Sequence, residues 1–246
     1  MMKACLPFLT ERSRAMPSME ARTADPRAVR RRMLADHVYD ELLVSLMDGR
    51  LEAGTSVSID GMARQLEVSP TPVREALARL ESTGMVVRVA LKGYRVAPLF
   101  SREELGQLMD ARGVIEPANA ALACAVSDPG LYRDLERAIT DLRKAPRGPS
   151  FAEFRAYWEA DERFHRHIAE HANNPFLLAA YNALGGQVQR FRFFGGLGVT
   201  DAEFAITEHE EILAAFADGD SERARRRMHA HITNVKARAL AASALR

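Results

Sequence analysis

The spacing of apolar residues changes period twice along the chain. Between residues 29 and 47, Val29, Met33, Val38, Leu42, Val44 and Leu46 recur at near-helical intervals and stop at Gly49, which predicts a first helix. The stretch LEAGTSV reads as a turn, and residues 60–66 read as a short second helix. In SPTPVREALARLEST, Val73, Ala76, Leu77 and Leu80 fall at i, i+3, i+4 and i+7. They therefore face a core, while Pro70, Thr71, Arg74 and Ala78 face outward. After Gly84 the pattern turns strand-like: Val86, Val87, Val89 and Val96 are β-branched, and Lys92-Gly93 lies between two extended arms. That is a hairpin with a glycine turn. Three helices followed by a hairpin predict a winged helix-turn-helix.

From Ser101 onward the helical period returns and no strand pattern interrupts it. Ser101 with Glu104, and Thr200 with Glu203, have the spacing of capping boxes. Breaks at SDPG, APRGPS, NNP, the glycines of 195–198 and DGD cut the segment into helices over about 101–126, 130–144, 150–172, 175–194, 200–217 and 220–244. The expected fold is therefore mainly α: a winged helix-turn-helix over 26–98, joined near Pro98 to an all-α six-helix bundle over 99–246. Residues 1–25 show no periodicity and predict a disordered tail, with Met16 or Met19 as alternative translation starts.

Composition adds boundaries rather than detail. The 246 residues are 47% hydrophobic and 27% charged, with a net charge of +1, which is ordinary for a folded soluble protein. The first domain leans slightly basic and the second slightly acidic, so a nucleic-acid partner has to be argued from local geometry. Cys5 and Cys124 are the only cysteines and make no disulfide framework. No apolar run reaches membrane-span length and CLPFL is too short for a signal core, so the expected compartment is the cytoplasm.

Two constellations carry chemistry. The first is the helix opened by SPTP. Ser69 is placed as an N-cap, and a proline in the first turn loses only an N–H that has no helical partner. The free N–H groups and positive dipole end favour a phosphate, and Arg74 one turn in can reach a guanine edge or a backbone phosphate. Lys92 at the hairpin tip can meet phosphate or enter a minor groove. An exposed arginine is usually only a solvated side chain; the ordered set of helix, tight turn, proline-opened helix and basic hairpin points to DNA.

These residues resemble the DNA-binding domain of the GntR family of bacterial transcription regulators. Gly49, Leu51 and Gly54 match its G-x-L-x-P-G, with Ala53 in place of proline. Ala63, Leu66, Val68, Ser69, Thr71, Pro72, Val73, Arg74, Glu75, Ala76 and Leu77 match its L-A-x-x-L-x-V-S-x-T-P-V-R-E-A-L. The resemblance implies DNA contacts from Ser69, Thr71, Arg74 and the wing tip Lys92-Gly93. Asp60 and Pro70 stand where many members carry DNA-contacting arginines, so those contacts do not transfer; Arg64 on the second helix is a replacement phosphate contact.

The second constellation lies in the bundle. Phe154, Trp158, Asp161, His165 and Ile168 form one stripe of the helix over 150–172; His209 lies with Ala205, Ile212, Leu213 and Phe216, and His231 with Ala224, Met228 and Val235. Four metal-competent side chains thus sit on apolar stripes of three helices. Each alone reads as a hydrogen-bonded core histidine, or as Asp161 paired to one of them; together they predict a divalent metal, because a buried carboxylate needs a partner. Zinc leads, with nickel, cobalt, iron or manganese as alternatives. Arg112, on the inward stripe of the helix over 101–126, is a candidate for capturing an effector carboxylate or, equally, an i, i+4 partner of Glu116. Arg190 and Arg192 are further effector candidates.

DERFH, EHEEILAAF and MHAHI are similar to motifs of the FCD effector domain of the FadR subfamily, and six helices rather than seven resemble its VanR-type branch. That resemblance implies metal ligation by Asp161, His165, His209 and His231. The whole reading is a homodimeric, ligand-responsive regulator, most often a repressor in this family, that reads a palindromic operator and binds a small organic acid at the metal. Two rivals remain: the same regulator with a metal-free dimerisation bundle, and an Asp/His₃ metal enzyme. The enzyme lacks a convincing general base, so no catalytic residue is assigned.

Overall fold

The computed structural model describes residues 26–90, 92–148, 150–193 and 201–243; the predicted tail over 1–25 lies outside them. The winged domain runs α1 (Pro26–Met47), β1 (Ser56–Val57), α2 (Ile59–Gln65), α3 (Pro70–Ser82), β2 (Val86–Val89) and β3 (Gly93–Val96). Its interior is built from Val38, Leu42 and Leu46 of α1, the expected Val73, Ala76, Leu77 and Leu80 of α3, and Val86 and Val96 of the hairpin. The Arg79 guanidinium lies 4.1 Å from the Tyr39 ring centroid and donates to Asp36 at 2.6 Å, fixing α3 against α1.

Two local expectations are corrected here. The turn before α2 contains a strand: Ser56 pairs with Arg95 and Val57 with Tyr94, so the sheet is three-stranded in the order β1-β3-β2. A two-residue strand is too short to show an alternating period. Gly93, at φ +88°, begins β3, where a Cβ would come within 3.2 Å of the Val57 carbonyl oxygen. The other correction concerns Ser69. It precedes α3 in an extended conformation, yet its side chain makes no capping bond. The usual N3 donor is missing because Pro72 occupies that position, and Pro70 removes the N1 donor as well. A working cap occurs one helix earlier, where Ser58 accepts from the Gly61 N–H at 3.2 Å.

The bundle comprises α4 (Arg102–Val126), α5 (Pro129–Lys144), α6 (Phe151–His171), α7 (Pro175–Phe193), α8 (Ala202–Ala217) and α9 (Ser221–Ser243), as the breaks in the sequence predict. Ser101 and Glu104 form the expected reciprocal box, with bonds of 3.1 and 2.8 Å. Thr200, predicted to cap α8, lies outside the described residues. Leu131, Leu135, Ile139 and Leu142 of α5 pack with Tyr157, Phe164 and Ile168 of α6 and with Ile212, Met228 and Ile232. No described helix is long and apolar enough to cross a membrane.

Helix α6 departs from the single inward stripe predicted for it. Its first two turns face the winged domain: Phe151 is buried in that domain's core, and Phe154 and Trp158 pack against it. The Phe151 N–H donates to Asp48 at 2.9 Å, and Arg155 reaches Asp40 at 3.0 Å. Tyr157, on the other side of these turns, already packs in the bundle core, and from Ala160 onward the stripe itself faces the bundle interior. An eight-residue apolar spacing cannot say that one helix serves two cores.

Candidate functional site

The winged domain exposes the predicted DNA face. Arg64, Ser69, Pro70, Thr71, Arg74 and Lys92 are exposed and Gly93 is half-buried. Asp60 and Glu67 share with Arg64 and Pro70 the shallow hollow between α2 and α3, so acidic groups flank Arg64. Arg74 stands one turn into α3 on the face opposite the buried Val73, Ala76 and Leu77.

In the bundle, three helices bring Asp161, His165, His209 and His231 together, all buried. One nitrogen from each histidine lies within 4.8 Å of the others. Nε2 of His209 is 3.3 Å from Nε2 of His165 and 3.7 Å from Oδ1 of Asp161. The i, i+4 spacing on α6 projects Asp161 and His165 from one face, and the packing of α6, α8 and α9 supplies the rest.

The orientation of the rings decides what the cluster can do. Nδ1 of His231 lies 2.7 Å from Oε2 of Glu208. Ionised carboxylates only accept, so Nδ1 carries the proton and Nε2 keeps its lone pair. Nδ1 of His165 lies 2.6 Å from Oε2 of Glu116, a close contact whose angle falls outside hydrogen-bond geometry. His209 differs: its ring stacks on Phe164 at 4.2 Å, and its buried Nδ1 has no hydrogen-bond partner. Burial pushes the His209 and His231 pKa values down, and neighbouring histidines add to this, although Glu208 opposes it at His231. Three imidazoles beside a carboxylate make a donor set that fits a divalent metal of the zinc type.

Arg112 is buried as expected, and its Nε donates to Oε1 of Glu116 at 2.6 Å; the i, i+4 pairing is thus present. Burial alone would raise the Glu116 pKa, but Arg112 and then His165 hold it well below the usual carboxylate range. Against the same burial effect, His231 and Arg238 pull Glu208 down to about 2. The side chains of Arg190 and Arg192 lie outside the described residues. His37 and His229 are exposed, and His171 bonds the His167 carbonyl.

Sequence reasoning missed two groups. Glu208 precedes His209, and adjacent helical residues face different ways, so nothing local indicates that it serves His231 of α9. Asn119 shares the α4 face of Arg112 and Glu116 and is buried with neither amide atom bonded; a lone polar residue amid alanines was its only signal.

Comparison with known proteins agrees with this geometry. Residues 34–96 match the bacterial regulatory proteins of the gntR family, and residues 107–234 match the FCD domain. A probable D-xylose utilization operon transcriptional repressor of Paenarthrobacter nicotinovorans is 27% identical over 209 residues, covering 85% of this chain and 90% of its own. The regulator LutR of Bacillus subtilis is 27% identical over 213 residues, covering 78% and 94%. The structure of E. coli McbR/YncC superposes with a TM-score of 0.67 at 22% identity, covering 84% of this chain and 96% of that one. These relatives are transcriptional regulators rather than enzymes, and this chain belongs to the gntR family of DNA-binding transcriptional regulators, in the FadR-type group whose second domain is FCD.

Proposed function

We propose that the chain is a metal-containing, ligand-responsive repressor that works as a cytoplasmic homodimer on a palindromic operator. Asp161, His165, His209 and His231 would hold the metal, with zinc the leading choice. The observation that carries this reading is the convergence of three buried imidazoles and a buried carboxylate inside the bundle. When bound, the metal supplies Lewis acidity and open coordination positions suited to the carboxylate of a small organic acid.

The chain's own charges support that ligand order. Around the three imidazoles, the carboxylates of Asp161, Glu116 and Glu208 outnumber the guanidinium groups of Arg112 and Arg238, which makes an acid-rich cluster. It attracts a dication and repels a carboxylate, so acid binding should depend on metal. Arg112, held by Glu116, is where such an anion would meet positive charge. A dimer is supported by the outer face of α4, where Val114 is 74% exposed and Leu122 and Val126 are also exposed, an apolar strip suited to a second copy.

The test is operator binding by the full chain, with and without Zn²⁺, titrated with a panel of small carboxylic acids. At least one acid should change operator affinity in the zinc-loaded protein and none in His209→Ala. An identical response in both proteins would leave the bundle as a metal-free dimerisation module.

A further inference from the structure

Two of the three cluster histidines are held by the same construction, on different helices. On α4, Glu116 accepts from Arg112 at Oε1 (2.6 Å), and Nδ1 of His165 of α6 lies against its Oε2 at 2.6 Å, a close contact outside hydrogen-bond geometry. On α8, Glu208 takes His231 of α9 at Oε2 (2.7 Å), while Arg238 donates to both its oxygens at 2.8 and 3.0 Å and Asn234 adds a bond at 2.9 Å. Arg238 is itself braced by Asp201 at 2.7 Å. Each chain reads arginine, carboxylate, Nδ1 of histidine, and each leaves Nε2 as the nitrogen available to the cluster. His209 has no such backing; it is held by its stack on Phe164.

We propose that Glu116 and Glu208 are positioning residues for the metal, fixing the tautomer and rotation of His165 and His231, with Arg112 and Arg238 holding the carboxylates. This rests on the metal reading given above. The geometry favours it over two ordinary internal salt bridges for a physical reason. A carboxylate satisfied by arginine alone gains little by also ordering a neutral imidazole. Here Glu208 does so by a hydrogen bond to His231 and Glu116 lies 2.6 Å from His165, each at Nδ1, the nitrogen whose protonation leaves the inner Nε2 free to bind a metal. Hydrogen bonding from the outer nitrogen also raises the basicity of the inner one, and loss of such a partner typically weakens metal binding by about 10–100-fold. The arrangement gives the arginines a role that needs no ligand contact.

The test uses the full chain stripped of metal, titrated with Zn²⁺ against a chromophoric chelator, in wild type, Glu208→Gln, Glu116→Gln and His209→Ala. The Glu208 side chain is 15% exposed and that of Glu116 is 5%, so Glu208→Gln is the safer variant to fold and carries the test if Glu116→Gln does not melt cooperatively. Its zinc dissociation constant should rise about 10–100-fold, and the visible absorption of the Co²⁺-loaded protein should shift. The metal-free variant should melt cooperatively at a lowered temperature, because Arg238 loses its charged partner, and the shifted cobalt spectrum is the readout that a purely structural role would not move. Zinc affinity within about twofold of wild type, with an unshifted cobalt spectrum, overturns the proposal and leaves the metal reading intact. Wild type binding zinc no better than His209→Ala overturns both.

Discussion

Turn α3 of the winged domain towards its core and the buried face is Pro72, Val73, Ala76, Leu77 and Leu80. Turn the inner half of α6 towards the bundle and the buried face is Ala160, Asp161, Phe164, His165, Ile168 and Ala169. Both helices are amphipathic, but they place their chemistry on opposite sides. Among the described residues the buried polar side chains are Arg112, Glu116, Asn119, Asp161, His165, His209 and His231, all in the bundle. A domain that reads a polymer can keep an apolar core and carry its arginines outside, where the polymer meets them. The bundle instead buries polar groups and offsets their desolvation within the fold.

The largest expected effects probe whether the two interiors are separable. Leu77→Ala in the winged core should cost about 2–5 kcal/mol and Phe164→Ala in the bundle about 3–5 kcal/mol in chemical denaturation. Phe164→Ala should also lower zinc affinity, because it removes the surface on which His209 stacks. Leu77→Ala should leave zinc affinity unchanged. Equal loss of zinc binding in both variants would mean that the site is not a property of the bundle alone.

On the outward-facing side the expected effect is smaller and purely functional. Arg74→Ala should weaken operator binding by about 1–3 kcal/mol, with melting temperature and zinc affinity unaltered. Asp60 and Pro70 stand where basic side chains would otherwise serve, so Arg74 is expected to carry a large share of the reading. Unchanged operator affinity in a gel-shift titration would move that role to the wing.

The buried side makes a further prediction that the exposed side does not share. His209 and His231 have pKa values below 6.5 because burial disfavours the imidazolium. The unfolded chain therefore binds protons first as pH falls. The bundle's stability is fully present above about 6.5 and is lost as pH drops below it. Asp161, Glu208 and His165 face these rings; Glu116 and Glu208, held below 4.5, add their own loss only in more acidic solution. Denaturation of the metal-free chain from about pH 7.5 to about pH 5.5 should show the decline. The winged core buries no histidine and contributes none of it. A flat profile would show that the rings are charged in the fold.

Most of this layout is legible in the sequence because it depends on period. The helices of both domains, the wing, and the four candidate ligands all announce themselves through the spacing of apolar residues on single elements. What remained hidden depends on pairs of elements. Glu208 reaches His231 across the α8–α9 contact. Ser56 and Val57 become a strand only because β3 is beside them. Phe154 and Trp158 look continuous with Asp161 until the fold divides α6 between two cores.

That divided helix gives the smallest prediction and the one that most sharpens the contrast between the domains. Arg155 joins α6 to Asp40 of α1 at 3.0 Å, with side chains 34% and 47% exposed. A pair so exposed contributes at most about 1 kcal/mol, so Arg155→Ala should barely change stability. Its value lies in the spectroscopy. Trp158 is the only tryptophan, lies against the winged core and precedes His165 by about two helical turns. Its emission therefore reports on the seam from the same helix that carries Asp161 and His165, two of the four proposed metal ligands. Zinc added to metal-free wild type should change Trp158 emission, and Arg155→Ala should reduce that change by freeing the seam from α1. If zinc binds with no change in emission, α6 does not pass the state of the bundle to the DNA-binding domain, and the extended linker at Pro98 is the remaining route.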